Sequence, residues 1–229
     1  MLALATNDGL VRLVESRGGE ERMRFRARSS RGAHCVALSR DGMKLALGNE
    51  NLRILNAQNG EELARIEYRV TALTFSPCGT RVAAGGYRTI ILHDVGDVEQ
   101  QLRLDKVASW VTDLAWAQDG LRLASLEDDG ARLTCWENVW PQWRTRVLVW
   151  DTRSGHLLNI VNEAHARARL FCIAFAPGRP LLAGGGNDKA TMVWDLGLDS
   201  TQGSRLIQLL HNRYQVMSSH VLRLLLNLK

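Results

Sequence analysis

One short pattern recurs along this 229-residue chain, and each copy reads as strand, tight turn, strand, hairpin, strand. The clearest copies occupy residues 70–85, turning at Ser76-Pro77-Cys78-Gly79, and residues 170–184, turning at Ala176-Pro177-Gly178-Arg179. Two more run over residues 33–48 and 111–125. Self-similarity at a period of roughly 20–50 residues marks a solenoid or a propeller, in which each unit buries its apolar faces only against its neighbours. Such an array typically offers a binding surface in place of a catalytic centre.

Aligned on the apolar pair that opens the second strand, Leu45-Ala46, Val82-Ala83, Leu123-Ala124 and Leu182-Ala183 stand 37, 41 and 59 residues apart. Leu4-Ala5 lies 41 residues before Leu45, so the chain is expected to start inside a unit, without that unit's first strand. Each element has a local cause. In the first turn Pro77 pre-sets φ near about −65°, and Gly79 accepts a positive φ without steric cost. A second reversal, Gly186-Asn187-Asp188-Lys189, and its weaker counterpart Gly48-Asn49-Glu50-Asn51 carry residues that hairpins prefer. Runs such as Leu45-Ala46-Leu47 and Val82-Ala83-Ala84 are apolar without alternation, as expected of strands buried on both faces. Ala83, Ala84, Gly85, Ala183 and Gly184 are small enough to let neighbouring sheets approach closely.

Two third strands end in the same pair, Val147-Leu148-Val149-Trp150-Asp151 and Met192-Val193-Trp194-Asp195. With the turn and the small-residue strand in fixed order before them, residues 2–211 resemble the WD-repeat β-propeller family. The resemblance implies an all-β fold of four-stranded antiparallel blades around a central channel. It gives four full blades and a partial one, with units at 2–30 (partial), 33–67, 70–105, 110–161 and 168–211. His93-Asp94 and Leu55-Asn56 replace Trp-Asp in the second and first full units, and the family's opening Gly-His is missing. His165 and Asp188 fall where the family places a His and an Asp that brace the Trp. A His165, Asp188, Trp194 brace is therefore implied in the last unit alone, where the family's Ser or Thr in the second strand is not evident.

The third unit runs 27 residues from Leu123 to Trp150, against 12 from Leu182 to Trp194, so an insertion is expected near 127–145. Residues 131–137 compete as a third strand, but residues 146–151 are the better choice because the turn Thr152-Arg153-Ser154-Gly155 follows them. The stretch between then projects as a loop carrying Trp140 and Trp143. These are candidate interface anchors, since Trp and Arg are enriched at binding hot spots; the alternative is that they fold back on the blade. Residues 212–229 do not repeat. Within them residues 221–228 read either as a strand that closes a five-bladed ring or as an amphipathic helix, which their leucine density favours by propensity. A third reading makes the chain part of a larger propeller. An unclosed array would expose apolar blade faces and is expected to self-associate.

The net charge is +5 and the pI about 9.3. Arg22, Arg24, Arg26 and Arg28 alternate with apolar residues, so an extended strand there carries one basic face. This face is a candidate for nucleic acid or anionic lipid, against the plainer reading of a solvated edge whose charges deter aggregation. Arg144, Arg146, Arg153, Arg167 and Arg169 add scattered positive charge, and Glu127-Asp128-Asp129 reads as a solvated acidic loop. Four cysteines, at 35, 78, 135 and 172, form no C-x-x-C pair, and Cys35 and Cys172 look like small core residues. No nucleophile elbow, metalloprotease pair or phosphate loop is written in the sequence, so no catalytic residue, cofactor or metal is expected. No run of 18 apolar residues or basic-led signal peptide is seen, which points to reduced thiols in the cytoplasm or nucleus.

These readings converge on a non-enzymatic scaffold for protein partners, with a nucleic-acid or anionic-lipid binder as the alternative. A buried Trp removes roughly 150–250 Å² from water, worth roughly 4–6 kcal/mol as an upper bound at about 25 cal/mol/Å². Trp194→Ala is accordingly expected to destabilise the protein by about 3–5 kcal/mol. An unchanged denaturation midpoint would refute its place in a blade core.

Overall fold

The computed structural model describes residues 1–6, 9–26, 35–128, 145–161, 169–187, 191–197 and 205–209. Among them nineteen strands occur and no helix. The first sheet has three strands, β1 (Leu2–Ala5), β2 (Leu10–Val14) and β3 (Glu21–Arg26). Four sheets of four strands follow. They are β4 (Cys35–Leu38), β5 (Lys44–Gly48), β6 (Leu52–Asn56) and β7 (Glu62–Ile66); β8 (Ala72–Phe75), β9 (Arg81–Gly86), β10 (Thr89–Asp94) and β11 (Gln101–Leu104). The last two are β12 (Trp110–Trp116), β13 (Arg122–Asp128), β14 (Thr145–Asp151) and β15 (Leu157–Ile160); and β16 (Leu170–Phe175), β17 (Leu181–Gly186), β18 (Thr191–Asp195) and β19 (Arg205–Leu209). In every sheet the spatial order is the chain order. The chain divides into two compact units, Met1–Leu114 and Ala115–Lys229.

The unalternating apolar strands have a direct explanation in the cores. In the first unit Leu45 and Leu47 of β5 pack with Val11 and Leu13 of β2, while Ala46 points the other way to join Phe75, Val82 and Ala84. The same division splits β6, with Leu55 in one core and Leu52 and Ile54 in the other. Successive side chains along a strand point to opposite faces, so a sheet sandwiched between two others needs apolar residues at both parities. In the second unit one core gathers Leu126, Val147 and Val149 with Leu170, Ile173, Leu182 and Trp194. The turn glycine behaves as its chemistry requires: Gly79 sits at φ 71° and its N–H donates to the Ser76 carbonyl at 2.9 Å.

A matched pair recurs inside the four-stranded sheets. Trp150, Trp194, His93 and Leu55 occupy one position of the third strand, opposite Leu123, Leu182, Val82 and Leu45. Two residues further along the second strand, on the same face, stand Ser125, Gly184, Ala84 and Leu47. Where the third strand carries an indole, this partner is small. The Trp150 Nε1–H donates to Ser125 Oγ at 2.9 Å with both side chains fully buried. The Trp194 ring lies so close over Gly184 that a Cβ there would stand 2.9 Å from the ring. Beside His93 the space is shared with Tyr68, whose hydroxyl lies 3.3 Å from His93 Nε2 and 3.5 Å from the Ala84 carbonyl. The serine not evident in the last unit is thus present in the preceding one.

Trp150→Phe would leave the Ser125 hydroxyl buried without its donor. The expected loss is about 1–3 kcal/mol, and adding Ser125→Ala should recover part of it. A urea denaturation series on the two single variants and the double variant measures this coupling.

Candidate interaction surface

The residue that closes each third strand does a local job. Asp151 Oδ1 accepts from the backbone N–H of Ser154 at 2.7 Å and of Arg153 at 2.9 Å, and from the Ser154 hydroxyl at 2.9 Å. These hydrogen bonds, the Ser154 backbone N–H foremost, hold its carboxyl below the ordinary range. Asp195 accepts from Gly197 N–H at 2.9 Å, Asp94 from Gly96 N–H at 2.8 Å, and Asn56 from Gln58 N–H at 2.8 Å. All four are side chains that mimic a backbone turn. The Trp-Asp signature residues Trp150, Asp151, Trp194 and Asp195 are therefore occupied by the fold. His165 and Asp188, the other members of the implied brace, lie outside the described residues, as do Trp140, Trp143 and Arg28.

The basic edge maps onto β3, the last strand of the three-stranded sheet. Arg22, Arg24 and Arg26 are exposed, but two of the three are spoken for. Arg22 pairs with Glu15, and Arg24 Nε lies 2.7 Å from Glu21 Oε1. The hydrogen bond from Arg24 is the main reason the Glu21 carboxyl is held below the usual range, with the charges of Arg24 and Arg12 adding to it. Such exposed pairs contribute little to stability, yet each sets a negative charge beside a guanidinium an anion would seek.

Glu127 and Asp128 correct the expectation of a solvated loop, while Asp129 lies outside the described residues. β13 continues to Asp128, opposite Arg146 and Thr145, and Glu127 and Asp128 are buried. Each carboxylate meets a guanidinium at 2.6 Å, Glu127 with Arg146 and Asp128 with Arg169. A buried charge stripped of its partner typically costs about 3–5 kcal/mol, so these arginines belong to the fold and not to a free basic surface. Cys172 is a second correction: it is exposed. A bulge between Leu170 and Cys172 shifts the register of β16, and Leu170 and Ile173 take the core positions. Cys35 is half-buried, and burial pushes its thiol up to about 12.

A cluster that the sequence reading passed over forms in the first unit, where the β9–β10 hairpin meets the start of β12. Tyr87 bridges Trp110 in antiparallel fashion, with ring centroids 4.9 Å apart and planes inclined at 46°. The Arg69 guanidinium carbon lies 5.3 Å from the Trp110 ring centroid. Arg88, beside Tyr87, holds φ 56° and donates its N–H to the Ser109 carbonyl at 2.8 Å. Residues 87 and 110 are 23 positions apart, and only the fold brings them together.

With this geometry in place, the comparisons with known proteins are specific about fold. The family model described as "WD domain, G-beta repeat" matches residues 61–94 and 155–195 of this chain. Each matched stretch begins around the last strand of one sheet and ends on the Asp that closes the third strand of the next. A solved chain from "Crystal Structure of Mitotic Checkpoint Complex" matches with a TM-score of 0.70 and 14% identity over 93% of this chain. This likeness shows a WD40 β-propeller fold, built of the four-stranded antiparallel blades seen here. The chain spans 63% of the length of that solved chain. No curated protein sequence matches.

The exposed cysteine of the β8–β9 turn gives a pH-dependent test. Cys78 Sγ lies 3.4 Å from Ser76 Oγ and 3.0 Å from Thr80 Oγ1. Hydrogen bonding to these hydroxyls, Ser76 first, lowers its thiol to about 7. Iodoacetamide labelling of Cys78 should therefore rise through neutral pH and level off above it, because the thiolate is the nucleophile. Cys35 should stay unlabelled over the same range until the protein is unfolded, as peptide mass mapping would show.

Proposed function

We propose that this chain is a non-enzymatic WD-repeat scaffold that docks segments of other proteins on its loops and strand ends, in the cytoplasm or nucleus. The observation that carries this reading is the use made of the signature residues. The indoles fill blade cores and the carboxylates cap turns, so the repeats build a frame and leave recognition to exposed residues that differ from blade to blade. Among the described residues no three His, Cys, Asp or Glu side chains come together as metal ligands, and no helix is long and apolar enough to cross a membrane. The matched chain was itself solved in a complex, which supports the same use. Trp140 and Trp143 remain candidate anchors on the inserted segment.

The second reading, an anion-binding edge on Arg22, Arg24, Arg26 and Arg28, is weakened by the carboxylate partners of Arg22 and Arg24. Affinity capture of the tagged chain tests both. The scaffold reading expects co-purifying proteins that survive a rise in salt, and Trp140→Ala plus Trp143→Ala is expected to release at least one of them. Captured nucleic acid or lipid that is lost steeply with salt would favour the basic edge, since phosphate contacts release counterions.

A further inference from the structure

We infer that the Tyr87, Trp110, Arg69 and Arg88 cluster is a docking site for an acidic peptide segment of a partner protein, an inference that rests on the scaffold reading. Its composition is that of an interface hot spot, where Trp, Tyr and Arg are enriched. Tyr87 is 56% exposed, Arg69 and Arg88 are exposed, and Trp110 is half-buried. Ion pairs engage Arg12, Arg22, Arg24, Arg53, Arg65, Arg122, Arg146 and Arg169. Neither Arg69 nor Arg88 has a carboxylate partner among the described residues. The Arg69 guanidinium over the Trp110 ring and the exposed Arg88, next to Tyr87 in the chain, offer forked N–H donors at an aromatic surface, where a carboxylate gains from charge-assisted hydrogen bonding.

The cluster is also held in place before any ligand arrives. The Thr71 hydroxyl donates to the Val111 carbonyl at 2.6 Å and lies 3.2 Å from the Gly85 carbonyl, tying the start of β12 to the end of β9. Gly86 has no room for a Cβ because the Arg69 carbonyl oxygen lies against it, which fixes the backbone that carries Arg69. The left-handed backbone of Arg88 is pinned by its hydrogen bond to Ser109. A pre-ordered surface loses less freedom on binding. Nucleic acid is a poorer fit. Base stacking needs an open ring face, and here Arg69 covers Trp110 while Tyr87 tilts across it.

The test is fluorescence anisotropy of a fluorescein-labelled hexaglutamate peptide titrated with the full chain. Binding should weaken by about tenfold or more in Arg69→Ala plus Arg88→Ala and should weaken also in Tyr87→Ala. The charge-matched control Arg103→Ala plus Arg153→Ala should bind as the parent does. All four arginines are exposed, and an unchanged melting temperature verifies that each variant folds. The site is overturned if the parent does not bind the peptide, if both double variants lose affinity equally, or if an oligothymidine displaces the peptide as well as unlabelled hexaglutamate does. Proteins captured equally by parent and Arg69→Ala plus Arg88→Ala would sink this site and leave the scaffold standing. A parent that captures no protein would remove the scaffold reading itself.

Discussion

In β5, β9 and β13 every residue after the first is buried, so no polar group along these strands can rely on water. An unpaired buried polar atom costs about 1–3 kcal/mol, and this cost decides which residues the strands tolerate. β5 and β9 meet it by carrying only Leu, Ala, Val and Gly beyond their opening Lys44 and Arg81. β13 meets it differently, because Ser125, Glu127 and Asp128 each find a specific partner in Trp150, Arg146 and Arg169. The identity of the third-strand residue follows from the same constraint. An indole has one donor to satisfy and a large volume to seat, so it lies diagonally to Ser125 in one blade and over Gly184 in another, while Leu55 has Leu47 at the same diagonal place where neither demand exists.

The turns after the third strands show the structural job behind a repeat signature. Asn56, Asp94, Asp151 and Asp195 each spend an oxygen on a backbone N–H two residues on. The position asks for an acceptor on a short stem, and both Asp and Asn provide one, which is why the first full unit can exchange Asp for Asn. Reading Trp-Asp as a recognition site would mistake the frame for the surface it carries.

Local chemistry was legible in the sequence wherever neighbouring residues suffice. The turns at Pro77 and Pro177, the two-sided strands and the choice of residues 146–151 over 131–137 as a third strand all rest on runs of a few residues. What escaped depends on register and distance along the chain. The Ser125 to Trp150 bond spans 25 positions and the Asp128 to Arg169 pair spans 41. Glu127 and Asp128 look solvated until β13 is seen to outrun its apolar stretch. Cys172 looks like a core residue until the bulge in β16 turns it outward. The Tyr87 to Trp110 contact carries no periodic signal at all, since it joins a hairpin to the first residue of a later strand.

A strand covered on both faces can display nothing along its length, so recognition must fall at strand ends or on outer strands. The two ends of the third sheet differ sharply in what they display. At the β8–β9 turn the polar groups serve each other: Ser76 Oγ accepts from the Arg81 N–H, Cys78 sits between two hydroxyls, and Asp94 caps the neighbouring turn. At the opposite end β9 stops at Gly86 and the next two residues, Tyr87 and Arg88, are exposed. Glycine would adopt the φ of 56° at position 88 without strain, whereas a left-handed arginine costs roughly 1–2 kcal/mol. The fold bears that cost in a hairpin where its own backbone contacts, Arg88 N–H to Ser109 and Tyr87 against Trp110, would be served equally well by glycine. What the arginine adds is an exposed positive charge at the residue after Tyr87, as the proposed docking site requires.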